Sequence, residues 1–77
     1  MTGKLNQIFA AVLDISPSEI SDEVSFDSVD NWDSMSHMIL INQLEETFNI
    51  ELTGDEIADI KSVADAKKAL AARGINL

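Results

Sequence analysis

Asp33-Ser34-Met35-Ser36-His37-Met38-Ile39-Leu40-Ile41-Asn42-Gln43-Leu44-Glu45-Glu46-Thr47-Phe48-Asn49 carries the longest helical pattern in the chain. Asp33 is suited to the N-cap, Asn49 tolerates the left-handed backbone that ends a helix, and Ser34 then falls in the first turn. At about 100° per residue, Leu40, Ile41, Leu44 and Phe48 gather on one side as a core stripe. Met35, Met38 and Ile39 fall on the opposite side, beside Asn42, Glu45 and Glu46. In so short a chain a helix is hard to bury all round, so these apolar residues should be exposed. Flexible methionines rimmed by carboxylates suit a docking face for basic partners of differing shape. The competing expectation is that the preceding loop folds over them.

Outward from this helix, Leu5, Ile8, Phe9, Val12 and Leu13 repeat helically and predict a first helix from Lys4 to Leu13. The connection from Asp14 to Asp33 is long for a compact domain and must pack as structure of its own. Ser16, Pro17 and Glu19 give it a short capping signal, and Ile20, Val24, Phe26, Val29 and Trp32 can anchor it. Thr53 and Glu56 have capping-box spacing before a short third helix over Asp55 to Ile60. Ser62 caps a fourth that runs to Arg73 and stops at Gly74, with Ile75 folding back. Strand signals are absent. The expectation is an all-α fold: a small four-helix bundle of three longer helices and one short, with a long ordered loop between helices 1 and 2, forming a single domain over residues 1–77. Its core should include Leu5, Ile8, Phe9, Val12, Leu40, Leu44, Phe48, Val63, Ala66 and Leu70, with Phe9, Phe26, Phe48 and Trp32 as the large aromatic pieces.

A chain of 77 residues encloses a deep catalytic pocket with difficulty, so a carrier, binder or scaffold is expected before an enzyme. The absence of cysteine excludes disulfides and thiolate chemistry of its own, and with it a reducing, cytoplasmic location is expected. The longest apolar run, Ile8 to Leu13, is six residues, too short for a membrane span or a secretion signal, and the chain reads as soluble and unprocessed. Between Leu5 and Ile60 lie thirteen acids and no lysine or arginine, within a net charge of −9. Such a field repels nucleic acid and anionic membranes and speeds encounter with basic proteins. Because Asp33 already fills the capping role, the Ser34 hydroxyl is free to point outward, next to amides that welcome a phosphate.

Asp33-Ser34-Met35 resembles the Asp-Ser-Leu signature of acyl carrier proteins. Leu44-Glu45-Glu46-Thr47-Phe48-Asn49-Ile50-Glu51-Leu52 is similar to that family's helix-two ending, and Asp55-Glu56-Ile57 through Ile60-Lys61-Ser62-Val63 to its third helix and following cap. The resemblance implies that Ser34 carries a covalent 4′-phosphopantetheine arm moved from coenzyme A by a phosphopantetheinyl transferase. The arm's thiol would hold acyl groups as thioesters for delivery to acyl-transferring and acyl-modifying enzymes with basic docking surfaces. It further implies that Asp33 helps present Ser34 to the transferase, and that Met35, Met38, Glu45 and Glu46 match docking positions. A monomer is expected. Ser36 and Ile39 replace acids common after the signature, His37 is unusual there, and Asn31-Trp32 replaces a small Gly-Ala-type pair. These departures point to a specialised member of lipid, polyketide, surface-polysaccharide or aminoacyl metabolism, not the housekeeping fatty-acid carrier.

Other readings compete with this one. Asp33, Ser34 and His37 invite a serine-hydrolase reading, but no Gly-x-Ser-x-Gly elbow or oxyanion hole accompanies them. The acidic run from Asp27 to Asp33 lacks an EF-hand's central glycine and holds Met38 where the closing glutamate belongs, so no specific metal site is expected. The remaining alternatives are a peptidyl or aminoacyl carrier and a cofactor-free acidic interaction domain. Self-repulsion among so many uncompensated acids predicts that added salt or divalent ions raise the melting temperature in a thermal scan; a salt-independent melt would contradict it.

Overall fold

The computed structural model describes residues 2–75 and contains four α-helices among them: α1 (Thr2–Leu13), α2 (Ser34–Phe48), α3 (Gly54–Asp59) and α4 (Val63–Ala72). This is the expected all-α bundle, with α3 the short member. Each boundary has a local cause. Asp33, in extended conformation, accepts the Ser36 N–H at 2.8 Å and starts α2. Asn49 ends it at φ 54°, and the Ile50 N–H returns to the Glu45 carbonyl at 3.1 Å. Asp14 ends α1 in the same way at φ 57°, with the Ile15 N–H on the Ala10 carbonyl. Thr53 and Glu56 exchange both capping-box bonds before α3, at 3.1 and 2.9 Å. Ser62 accepts the Asp65 N–H ahead of α4, and Gly74 at φ 80° closes that helix while Ile75 packs back on the core.

The connection between α1 and α2 is ordered through its own anchors. Pro17–Glu19 forms a single 3₁₀ turn capped by Ser16. Farther along, the Phe26 N–H donates to the Lys61 carbonyl at 2.8 Å and the Val63 N–H to the Val24 carbonyl at 2.9 Å, an isolated antiparallel bridge that fastens the loop to the start of α4. Lys67 pairs with Asp22 across the same seam. The Asn31 amide donates to the Leu13 carbonyl at 2.9 Å and so satisfies one of the carbonyls left free at the end of α1.

The core joins all of these elements. Leu5, Phe9 and Leu13 of α1 meet Leu40, Ile41 and Leu44 of α2 and Val63, Ala66 and Leu70 of α4, with Ile20, Leu52 and Ile60 from the connections. Ile8, Val12 and Phe48, expected inside, pack only partly buried against its edge, each at the flank of its helix stripe. Trp32 is 1% exposed and meets Phe9 edge to face, with centroids 5.4 Å apart. Phe26 departs from expectation: it is 39% exposed, because the bridge to Lys61 holds its backbone at the rim and only one ring face lies against Trp32. Trp32→Ala should therefore lose about 3–5 kcal/mol of stability, whereas the cap change Ser62→Ala should lose about 1 kcal/mol. Urea unfolding followed by circular dichroism measures both, and comparable losses would show that Trp32 does not anchor the core.

Candidate functional site

Ser34 opens α2 and is exposed. Asp33 takes the capping role through Ser36, leaving the Ser34 hydroxyl outside the cap. It stands at the N-terminus of a fifteen-residue helix, whose partial positive charge favours an anionic substituent there. The Asp33 carboxyl is held below its ordinary value of 3.8, first by the Ser36 backbone N–H and then by the Ser36 hydroxyl, and is thus firmly ionised beside Ser34 at neutral pH.

One turn on, His37 has both ring nitrogens engaged. The Trp32 Nε1–H lies 3.0 Å from Nδ1, and Nε2 lies 2.8 Å from the Ile57 carbonyl oxygen. An indole nitrogen only donates, so Nδ1 accepts and the proton sits on Nε2, from which it is donated to Ile57. His37 also stacks on Trp32 with rings 24° apart. Neither nitrogen is left to take a proton from Ser34, so the hydrolase reading has no base. In sequence His37 reads as an ordinary half-buried or surface residue. Its bridge joins a loop, α2 and α3, and no local spacing signals such a contact.

Below Ser34 the exposed side of α2 carries Met35, Met38 and Ile39, exposed by 75%, 50% and 48%. The first loop does not cover them; Trp32 draws it to the other side. Asn42 and Glu46 are exposed on the same face. Glu45 is half-buried, and its carboxylate accepts the Leu52 N–H at 2.8 Å, so it serves the turn after α2 as well as bordering this face. No helix among the described residues is long and apolar enough to cross a membrane.

A helical bundle that displays a serine at the head of its central helix, above an apolar strip, is the architecture of a carrier domain. Residues 3–70 match the family described as the phosphopantetheine attachment site. An acyl carrier protein from Thermosynechococcus vestitus is 36% identical over 62 residues, which span 80% of this chain and 76% of that protein. The solution structure of the holo acyl carrier protein from Geobacter metallireducens aligns with a TM-score of 0.75 at 34% identity, covering 95% of this chain and 91% of that one. The chain belongs to the acyl carrier protein family, whose members are carrier domains, not enzymes, and bear a covalently attached phosphopantetheine.

The depressed Asp33 value sets a pH dependence. A carboxyl whose value falls on folding stabilises the protein above its unfolded value and loses that contribution as pH falls through the lowered folded one. Asp33→Asn retains a capping oxygen but not the charge. The stability difference between wild type and this variant should therefore change little down to about 3.8 and then shift against wild type below it, in melts across an acid series. A difference that stays flat through that range would contradict the bond to Ser36.

Proposed function

We propose that Ser34 is the attachment point and that the chain holds acyl intermediates as thioesters for delivery to partner enzymes of fatty-acid, lipid, polyketide or related biosynthesis, in the cytoplasm, as one monomeric carrier domain. The observation that carries this is the exposed Ser34 hydroxyl at the N-terminus of α2, outside the cap that Asp33 makes. Ser34 Oγ would form the phosphodiester with the pantetheine arm of coenzyme A, while the pyrophosphate bond of coenzyme A breaks and adenosine bisphosphate leaves. The arm supplies the thiol that this cysteine-free chain lacks. The chain's own contribution is to hold the new phosphate at amides that stabilise its charge, with Asp33 orienting the turn for the transferase.

Met35, Met38, Ile39, Asn42 and Glu46 form the docking face, with Glu45 at its edge. An apolar centre beside carboxylates suits a basic enzyme surface, since the charges speed encounter and the side chains supply contact area. Unmatched acids around α2 support a partner of opposite sign.

Incubation with coenzyme A and a broad-specificity phosphopantetheinyl transferase, followed by intact mass, tests the attachment. One phosphopantetheine addition is expected on the wild type and none on Ser34→Ala. An addition that survives in Ser34→Ala overturns the site, and no addition to the wild type would favour the cofactor-free interaction domain.

A further inference from the structure

The run Trp32-Asp33-Ser34-Met35-Ser36-His37 is closed on itself by three hydrogen bonds. The Trp32 Nε1–H donates to His37 Nδ1 at 3.0 Å, the Ser36 N–H to the Asp33 carboxylate at 2.8 Å, and the His37 N–H to the Asp33 carbonyl at 2.8 Å. The last two belong to any capped helix start. The first does not, since it joins the buried side chain before the turn to a side chain beyond it. Ser34 and Met35 are the exposed tip between them. On the loop side the approach is already held, because the Trp32 N–H donates to the Val29 carbonyl at 3.1 Å and the Asn31 amide to the Leu13 carbonyl. The indole lies against Phe9 and Phe26, with centroids at 5.4 and 6.1 Å, and these rings offer its N–H no acceptor. His37 supplies one.

We propose that His37 is a positioning residue for attachment of the arm: by accepting the Trp32 indole N–H it fixes the place of Ser34 Oγ before the transferase. The proposal rests on Ser34 carrying the arm. In the transfer the Oγ–phosphorus bond forms as the pyrophosphate bond of coenzyme A breaks. The hydroxyl proton leaves to a base of the transferase, because both ring nitrogens of His37 are engaged. His37 therefore acts through Trp32 and not on the reacting atoms. Without its acceptor the indole N–H is a buried donor with no partner, which the fold relieves by turning the ring or admitting water. Either movement reaches Ser34 across Asp33 alone. Rates depend steeply on how the reacting atoms are placed, so a displacement small enough to leave the bundle folded still slows the transfer. The second bond of His37, to the Ile57 carbonyl, secures α3 and has no such short path to Ser34.

Four variants separate the two bonds. His37→Gln has an oxygen to accept from the indole and a nitrogen to donate to Ile57, whereas the shorter His37→Asn keeps an acceptor at the place of Nδ1 and gives up Ile57. His37→Ala gives up both, and Trp32→Phe removes the indole donor while leaving the bond to Ile57. Initial rates of arm transfer at saturating coenzyme A, followed by intact mass over a range of carrier concentrations, give kcat and KM for each. The kcat should match wild type in His37→Gln and His37→Asn and fall about tenfold in His37→Ala and Trp32→Phe. KM should not change, because Met35, Met38 and Ile39 are untouched. Thermal melts should rank the variants differently, with His37→Asn below wild type although its kcat is intact. In the unloaded protein the backbone amide resonances of Ser34 and Met35 should move further in His37→Ala and Trp32→Phe than in His37→Asn. A kcat that falls together with melting temperature, His37→Asn included, would leave His37 a structural role only and overturn the proposal. A wild-type kcat in Trp32→Phe would overturn it as well. If His37→Ala does not fold, Trp32→Phe and His37→Asn decide alone. A wild type that takes up no arm, or takes it up elsewhere than at Ser34, refutes the attachment reading instead.

Discussion

The indole N–H of Trp32 is the constraint around which the rest is arranged. A tryptophan buried to 1% exposure brings a donor into the core that must find an acceptor. His37 Nδ1 is that acceptor, and accepting there fixes the proton on Nε2 and turns it toward α3. The Ile57 carbonyl lies in the last turn of a six-residue helix, where it has no partner of its own along the chain. Satisfying the tryptophan thereby completes α3. So short a helix has little stability in isolation. It persists because the capping box secures its start, His37 its end, and Arg73 pairs with Glu56 along its side.

Two of the five cations are used in the same structural way. Lys67 meets Asp22 and Arg73 meets Glu56, each fastening α4 to a connection or a short helix that its own sequence could not hold. Such pairs, partly solvated, contribute modestly to stability. Their larger effect is on the field. With two cations drawn to the α4 side, none lies in the sequence of α2, and the potential around Ser34 and the exposed methionine strip stays negative. The one charge-stabilising feature at Ser34 itself is the helix N-terminus. The surface thus repels anions at long range, while the helix N-terminus favours negative charge at contact.

How much of this was legible follows from the range of each interaction. Asp33, Asn49, Thr53 with Glu56, Ser62 and Gly74 act within a few residues of themselves, so their types and spacing located the helix ends to within a residue or two. The apolar period gave the faces of α2, and the exposed Met35, Met38 and Ile39 follow from it. The Trp32, His37 and Ile57 bridge was not legible, because it spans three elements and its spacings of five and twenty residues match no helical or turn pattern. Phe26 misled for a related reason. Hydrophobicity argued for the core, but a backbone bridge formed with residues far along the chain decides where its ring can go. Glu45 likewise reads as a surface acid until the turn after α2 brings the Leu52 N–H to it.

A carrier needs two properties that pull against each other. Its attachment point must be open to enzymes of different shapes, yet it must sit at a fixed place on a chain too small for a large core. Here the conflict is resolved by putting the order behind the helix and the openness in front. Trp32 lies two residues before Ser34 and is among the most buried side chains, while Ser34 and Met35 are exposed. The polypeptide turns from core to surface across Asp33 alone, whose carboxylate bond to Ser36 makes that turn rigid. On the proposed reading, the position of the arm is set by the same buried indole that closes the interior. A substitution that loosened Trp32 would then also blur the presentation of Ser34. Core order and attachment geometry are coupled in this chain through one side chain, and His37, which supplies the indole's acceptor, belongs to the same coupling.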